Sequence, residues 1–188
     1  MSATDKPIVL EPPLTDPVVE ALNVGDRVLI TGTIYGARDA AHKRLVELIE
    51  AGESLPFPLE GAIVYYVGPC PGRGGRPTLS AGPTTASRMD RYAPVLMKHG
   101  LKAMMGKGAR SESVIRAMQQ YKAVYFGTVG GAGALLADRV RRCEPIAFHE
   151  LGPEAVYLIE VDKFPAFVAN DVRGNDLYRA AVQRYKQG

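Results

Sequence analysis

Apolar and β-branched residues in this chain fall into short runs that end at glycine, proline or polar residues. Residues 27–33 (RVLITGT) and 61–67 (GAIVYYV) have the composition of buried strands. Between them the chain turns through Gly36 into a helix expected over residues 39–51, which Gly52 ends. Other helices are expected at residues 84–89, 94–100, 112–121, 134–140 and from about residue 175. Further apolar runs occupy residues 101–105, 123–127, 144–148, 155–161 and 167–171.

The order of these elements predicts the fold class. Strands and helices alternate in the first half, which is typical of parallel βαβ units, whereas strands follow one another later, which favours antiparallel pairing. We therefore expect an α/β fold with a mixed sheet system. Residues 1–24 are punctuated by prolines and end in a short helix with Thr15 or Asp16 as its N-cap. We expect them to form an arm that packs on a partner, and residues 25–188 to form one domain.

Composition narrows the class of protein. The chain has 188 residues, of which 46% are hydrophobic and 23% charged, and this ordinary globular composition suits one domain. Its apolar stretches are far shorter than the ~20 residues that cross a bilayer, and the N-terminus has no signal-peptide pattern. We therefore expect a cytoplasmic protein. Cys70 and Cys143 are the only cysteines, too few to hold an iron-sulfur cluster, and three histidines give poor support for a zinc site.

Positive charge is concentrated in the middle of the chain. Residues 1–69 contain 5 Lys and Arg against 10 Asp and Glu, and residues 117–188 contain 9 against 8. Residues 70–116 contain 9 basic residues and only two acidic ones, Asp90 and Glu112. This excess points to an anionic partner, although a solvated basic face explains the same count equally well.

Two glycine-rich segments look like phosphate-binding loops but lack residues that such loops require. Residues 127–133 (GTVGGAG) are followed by Leu136 where GxGxxG needs its last glycine. In residues 100–107 five residues separate the glycines, and Gly108 stands where a phosphate loop has Ser or Thr. The preferred interpretation of residues 127–133 is close packing of a helix on a strand.

Residues 36–44 (GARDAAHKR) carry polar side chains from a strand into the start of a helix. Asp39 is well placed to cap that helix, and Arg38, one residue earlier, can point into a cleft. His42 lies one turn further on. A packed or hydrogen-bonded histidine is the more common arrangement there, and a catalytic histidine is the alternative.

Two further segments combine hydroxyl groups, basic side chains and glycines. In residues 81–90 (AGPTTASRMD), Thr84 and Thr85 follow Gly-Pro at a helix start, where they either cap the helix or help its free backbone N–H groups bind an anion. Arg88, four residues after Thr84, would share a helical face with it and complete a compact carboxylate receptor. In residues 106–108, flanking glycines let Lys107 reach a cleft or simply form a surface turn.

Taken together, these segments resemble a known family. The matching stretches are RDAAH (38–42), YYVGP (65–69), AGPTTASRMD (81–90), GKG (106–108), YFGTVGGAGAL (125–135) and the closing residues 160–178. They are similar to the β subunit of class I, iron-sulfur-dependent fumarate hydratase. The same family includes the β subunit of L-tartrate dehydratase and the C-terminal domain of single-chain class I fumarases. The resemblance covers roughly residues 10–180, and the stretch 70–78 (CPGRGGRPT) departs from it.

The resemblance implies a swivelling three-layer β/β/α domain with a parallel sheet and an antiparallel sheet. It also implies a hydro-lyase that interconverts fumarate and L-malate together with an α subunit. That α subunit, not this chain, would hold a [4Fe-4S] cluster through three cysteines, and its open iron would act as Lewis acid on the departing hydroxyl group. We expect a heterotetramer of two α and two β subunits, or a homodimer of this chain in isolation, with no membrane or nucleic-acid partner.

The resemblance further implies roles for individual residues. The residues expected to bind the small dicarboxylate substrate are Arg38, Thr84, Thr85, Arg88 and Lys107. Thr84 would also remove the proton from C3 of malate. Because a threonine hydroxyl is a weak base, it must be activated by positive neighbours, and Lys107 is the expected activator and second catalytic residue. Asp39 and His42 are expected to support the site, and no residue of this chain is expected to bind metal.

Two alternatives remain open at this point. An L-tartrate dehydratase, which converts tartrate to oxaloacetate, needs the same elimination on a substrate with one more hydroxyl group, and no residue separates the two activities. The non-enzyme alternative is a basic anion- or nucleic-acid-binding module. RNA-binding sheets normally add stacking aromatic residues, however, and residues 70–116 contain only Tyr92.

Overall fold

The computed structural model describes residues 6–186, in which strands and helices alternate along most of the chain. The strands are β1 (Ile8–Leu10), β2 (Arg27–Gly36), β3 (Ile63–Tyr65), β4 (Cys70–Pro71), β5 (Thr78–Ser80), β6 (Ala103–Gly106), β7 (Val124–Gly127), β8 (Val140–Ala147) and β9 (Val156–Asn170). The α-helices are α1 (Asp16–Ala21), α2 (Asp39–Ala51), α3 (Ala93–Lys98), α4 (Glu112–Tyr121), α5 (Gly133–Ala137) and α6 (Leu177–Tyr185). Two 3-10 segments cover Ala86–Met89 and His149–Glu154. Within the described residues, no helix has both the length and the apolar character needed to cross a membrane.

Parallel strands form one part of the main sheet, and antiparallel strands form the other. β1, β2, β3, β6 and β7 lie side by side in that order and are parallel. β9 runs antiparallel to β2, from Phe167 opposite Arg27 to Tyr157 opposite Gly36. It also pairs with β8 and, at its end, with β7. Because β9 pairs with both β2 and β7, it joins the two sides of the parallel set into a closed ring of strands.

Successive residues of the parallel strands face two separate cores. Around β3, Val64 and Tyr66 pack among buried residues of helices α2, α3 and α4. Ile63 and Tyr65, which point the other way, pack with buried residues of β8 and β9. The molecule therefore has a layer of helices, a layer of parallel strands and a layer of antiparallel strands, and the predicted α/β fold class is confirmed.

Residues 6–24, the described part of the N-terminal arm, lie on the chain's own sheet. β1 pairs in parallel with β2, and Thr15 is the N-cap of α1 with Pro17 in the first turn, as predicted. Leu10 and Val19 are buried in the core that β8 and β9 share. These contacts anchor the arm by hydrophobic burial. Its packing on a partner subunit stays a prediction.

Two predicted elements differ from the structure near the candidate residues. The helix expected at residues 84–89 is a single 3-10 turn that begins at Ala86, because Thr84 and Thr85 pair with neighbouring strand ends instead. The apolar runs 155–161 and 167–171 form one strand, β9, since Phe164 is buried and continues the pairing with β2. The long loop over residues 68–83 contains the β4–β5 hairpin, which forms a small sheet of its own.

Candidate active site

The segments 38–42 and 81–90 meet through an ion pair. Arg88 Nε donates to Asp39 Oδ1 at 2.9 Å, and Arg88 Nη2 lies 2.7 Å from Asp39 Oδ2, so the two charged groups are joined by one hydrogen bond and one further close contact. The prediction that Asp39 caps α2 is wrong. Arg38 occupies the N-cap position, and Asp39 is the first helical residue. Its carboxylate instead orients a guanidinium from a segment 49 residues away.

The segment 106–108 meets the two threonines through the backbone. The Lys107 N–H donates to the Thr84 carbonyl at 3.2 Å, and the Ala86 N–H donates to the Lys107 carbonyl at 2.8 Å. These bonds form a parallel bridge that pairs Thr85 with Lys107. Gly106 permits this approach, since a Cβ atom there would lie 3.1 Å from the Thr84 carbonyl oxygen. Paired residues present their side chains to the same side, so the register places Thr85, and not Thr84, directly beside Lys107.

Thr84 sits between the carboxyl ends of β3 and β6. Its N–H donates to the Tyr66 carbonyl at 2.7 Å, and its own carbonyl accepts from Lys107. The N–H groups of Thr84 and Ala86 are therefore engaged and cannot bind the anion expected from the sequence. Thr84 also precedes the 3-10 turn, so the predicted helical face shared with Arg88 is wrong. Thr85 occupies the N-cap position of that turn without a capping bond from its side chain.

The glycine-rich segment 127–133 borders the same site. Lys107 extends along Gly130, where an added Cβ atom would lie 3.6 Å from Lys107 Cδ and 4.0 Å from Nζ. At Gly133 an added Cβ would approach Ser80 Oγ to 2.5 Å, and at Gly127 it would approach the Phe167 ring to 2.3 Å. The expected close packing of a helix on a strand is found at Gly133 but not at Gly131, where an added Cβ would meet nothing within 4 Å, and Gly130 leaves space for the lysine side chain.

Arg38 lies at the start of α2 with its side chain 25% exposed. Its Nη2 atom lies 3.1 Å from Oε1 of Glu154. Sequence reasoning missed Glu154, because nothing in the sequence links it to α2 across more than 100 residues.

His42 is fully buried beneath the site. Its Nδ1 atom lies 3.0 Å from the Arg38 carbonyl oxygen, and its ring packs edge-on against the Tyr66 ring, 5.2 Å between centroids. Burial, together with the charge of Arg110, lowers the pKa of His42 to about 4 despite the raising effects of the Arg38 carbonyl and the Asp39 carboxylate. His42 is therefore neutral at physiological pH and packs as a structural side chain.

We expect this buried histidine to make stability depend on pH. Its pKa rises from about 4 in the folded state to 6.5 in the unfolded state, so the unfolded chain binds more protons in that window. The contribution of the neutral His42 side chain to the free energy of unfolding is complete above pH 6.5, and it is lost as the pH falls towards 4. Between pH 7 and 4.5 the free energy of unfolding should fall by about 2–3 kcal/mol more in the wild type than in His42→Gln. Urea titrations at both pH values measure this difference, and an equal fall in both proteins would contradict it.

A buried ion pair between Arg110 and Asp90 connects two of the segments that form the site. Arg110 Nε donates to Asp90 Oδ1 at 2.8 Å with none of the Arg110 side chain exposed, and the Ser111 N–H donates to Asp90 Oδ2 at 2.8 Å. The guanidinium also lies over the rings of Tyr66 and Tyr125, 5.3 and 5.0 Å from their centroids. This pair ties the end of the 84–90 segment to the residues that follow Lys107.

Much of the basic charge in residues 70–116 is neutralised within the chain. The acidic partners come from other parts of the sequence as well as from the segment itself. The pairs are Arg76–Asp138, Arg88–Asp39, Lys102–Asp16 and Arg110–Asp90. The excess available to a polyanion is therefore smaller than the sequence count, which weakens the nucleic-acid alternative.

The donor groups of this chain do not fit an iron-sulfur cluster. Among residues 6–186, no group of three or more His, Cys, Asp or Glu side chains is placed to hold a metal ion. Cys70 is exposed, and burial raises the pKa of Cys143 to about 11, so that its thiol stays protonated. The described part of the chain therefore does not provide the several cysteine thiolates that an iron-sulfur cluster requires.

Comparison with known proteins gives a consistent result. The family model described as Fumarase C-terminus matches residues 1–181. The chain is 43% identical over 163 residues to the anaerobic class I fumarate hydratase of Escherichia coli strain K12, covering 86% of this chain and 30% of that protein. It is 40% identical over 183 residues to fumarate hydratase 2 of Leishmania major, covering 95% of this chain and 32% of that protein.

A third relative has a different extent. A Methanocaldococcus jannaschii protein, provisionally named subunit β of L(+)-tartrate dehydratase, is 39% identical over 171 residues, which cover 88% of each chain. The chain thus spans about a third of the two fumarate hydratases but most of this β subunit. With the family model matching nearly its whole length, the chain belongs to the Fumarase C-terminus family, whose relatives here are named as hydro-lyases.

Proposed function

We propose that this chain is the β subunit, or the equivalent part, of a hydro-lyase that interconverts fumarate and L-malate. One observation carries the proposal. Three segments far apart in sequence bring two arginines, a lysine and two threonines to the carboxyl ends of β2, β3 and β6. In parallel sheets this edge is where ligands commonly bind. The fumarate hydratases among the relatives support the choice of substrate.

The charged side chains suit a small dianion. Fumarate and malate each present two carboxylates, and guanidinium groups pair with carboxylates through two parallel hydrogen bonds. Arg38 and Arg88 project from neighbouring segments, and each is already oriented by an acidic side chain of this chain. Lys107 and the hydroxyl group of Thr85, side by side in the bridge, supply a third positive charge and a donor. We assign these four residues to carboxylate binding.

Thr84 is the proposed base. Dehydration of malate removes a proton from C3 and the hydroxyl group from C2, and it releases fumarate and water. A hydroxyl group accepts the C3 proton only if positive charge nearby stabilises its deprotonated form. Lys107 is the proposed source of that charge: its backbone N–H donates to the Thr84 carbonyl, and its side chain lies beside the adjacent Thr85. The proton of C3 would pass to the Thr84 oxygen and return from it in hydration.

The [4Fe-4S] cluster belongs, on this proposal, to an α subunit. The name subunit β in the Methanocaldococcus jannaschii relative supports a divided enzyme, and the donor set of the described residues supports a cluster held elsewhere. The steps assigned to this chain are therefore substrate binding and proton transfer at Thr84.

L-Tartrate dehydration is the second candidate, and one observation favours it. The relative named for that activity matches this chain over 88% of its own length, whereas the fumarate hydratases match over about a third. The same residues would serve, because tartrate is also a small dicarboxylate that loses a proton and a neighbouring hydroxyl group. Assays should therefore include malate, fumarate and L-tartrate.

Purification of the chain with and without its partner tests the proposal. Alone, it should be folded, colourless and inactive towards all three substrates, because residues 6–186 offer no group placed to hold a metal ion. Co-expressed with an α subunit, it should form a brown complex that forms or consumes fumarate, which is followed by the ultraviolet absorbance of fumarate. Activity of the metal-free chain without any partner would contradict the shared site, and a brown complex inactive on every dicarboxylate would contradict the hydro-lyase.

A further inference from the structure

The guanidinium of Arg38 lies against two parts of the chain that are distant from it in sequence. One is the carboxylate of Glu154, the last residue of the 3-10 segment before β9. The other is the backbone of Gly68, in the loop that follows β3. Neither contact is accounted for by the proposed substrate binding or proton transfer, and each has a definite geometry.

Glu154 connects Arg38 to the start of its own helix. Its Oε1 atom lies 3.1 Å from Arg38 Nη2, and its Oε2 atom accepts the Ala40 N–H at 3.1 Å. A single carboxylate thus binds both the side chain of the N-cap residue and a free backbone N–H of the first turn of α2. The two bonds fix the direction in which Arg38 leaves the helix.

Gly68 provides the space in which the guanidinium lies. A Cβ atom added at Gly68 would be 2.7 Å from Arg38 Cζ and 3.0 Å from Nε and Nη1. The backbone of Gly68 is outside the left-handed region, so alanine suits its conformation and only the space is lacking. The glycine is therefore required by the arginine side chain rather than by the turn.

Glu154 leaves part of the guanidinium without a partner. It contacts Nη2, and within the described residues the buried Nε atom has no hydrogen-bond partner. An arginine whose rotamer is already fixed loses less side-chain entropy when a carboxylate binds to its remaining nitrogens.

We infer that Glu154 and Gly68 are positioning residues that hold Arg38 in the orientation in which it binds a substrate carboxylate. The inference rests on the proposed function, in which Arg38 binds that carboxylate. It makes opposite predictions from a model in which Glu154 merely competes with substrate for Arg38. Loss of a positioning residue raises KM, whereas loss of a competitor lowers it.

The test uses the complex with the α subunit and measures kcat and KM for malate. Glu154→Gln should lower kcat/KM about tenfold, mainly through KM, and Gly68→Ala about 10²-fold, as expected when a binding group is displaced by about 1 Å. Arg38→Ala should lower it at least as much. The matched control is Glu150→Gln, on the same 3-10 segment, whose carboxylate pairs with the exposed Arg44 at 3.6 Å and should leave kinetics unchanged. Melting temperatures report whether each variant is folded.

A double variant separates positioning from a general structural role. If Glu154 acts through Arg38, the double variant Glu154→Gln, Arg38→Ala should be no slower than Arg38→Ala alone. The inference would be overturned if the two substitutions lowered kcat/KM independently, so that their effects multiplied in the double variant, or if KM fell in Glu154→Gln. Neither result would affect the proposed function. Wild-type kinetics in Arg38→Ala would instead overturn the assignment of Arg38 to substrate binding, and the inference with it.

Discussion

Replacement of Thr84 with alanine is expected to lower the rate of proton exchange at C3 of malate by ~10²–10⁴-fold, with nearly unchanged stability. The reason is that the hydroxyl group is the proposed base, whereas the contacts that position Thr84 are made by its backbone N–H and carbonyl. Those contacts survive the substitution. Exchange of the C3 proton with deuterated solvent, followed by NMR in the complex with the α subunit, measures the proton transfer directly.

Thr85→Ala is the matched control for this experiment. Thr85 has the same side chain and is bridged to Lys107, but we assign it to carboxylate binding, so its loss should raise KM more than it slows exchange. Thr84→Ser keeps the hydroxyl group and should retain most of the exchange rate. Wild-type exchange in Thr84→Ala would contradict the assignment. If Thr85→Ala alone lost exchange, the base would be the threonine beside Lys107.

Replacement of Arg110 with alanine is expected to cost about 3–5 kcal/mol of stability, because it leaves the carboxylate of Asp90 without its buried partner. For a chain of this length, that loss lowers the melting temperature by roughly 10 °C or more. The structure adds a functional consequence. Asp90 joins the 84–90 segment to the backbone at Ser111, so the approach of Thr84 to Lys107 should loosen as well.

Arg141→Ala is a suitable comparison for Arg110. Arg141 Nη2 lies 2.9 Å from Asp162 Oδ2, nearly the same distance as in the buried pair, but both side chains are largely exposed. Surface pairs of this kind contribute about 0–1 kcal/mol, so the melting temperature should change little. Thermal denaturation of both variants gives the comparison. An equal, small shift in both would show that the Arg110 pair contributes no more than a surface contact.

Sequence reasoning predicted the elements whose signals are local. Helix α2 runs from Asp39 to Ala51 and is followed by Gly52, which adopts the left-handed conformation expected of a C-terminal glycine. Helix α4 follows Ser111 and covers the predicted residues 112–121. Sequence reasoning was wrong where pairing with distant strands overrides the local preference for a helix. Thr84 and Thr85 look like a helix start, yet their backbones bond to Tyr66 and Lys107.

The candidate site shows the same division. The three segments that carry Arg38, Arg88 and Lys107 could be chosen from their residue types, and the structure brings them together. Asp39, which orients Arg88, was among the residues expected to support the site. Glu154, which orients Arg38, could not be chosen in this way, because only the fold shows that it lies against an arginine. For the space in which the Arg38 guanidinium lies, the sequence offered only Gly68, in the segment 65–69 (YYVGP), as an indication.

The long strand β9 determines when this protein can finish folding during synthesis. It pairs Phe167 with Arg27, residues that leave the ribosome 140 positions apart. Until β9 has emerged, β2 and β7 have unpaired edges on which other nascent chains could add strands. Pairing over such a separation is slow because a long loop must close first. A fragment that ends before residue 156 lacks β9, so we expect it to expose these strand edges and to aggregate.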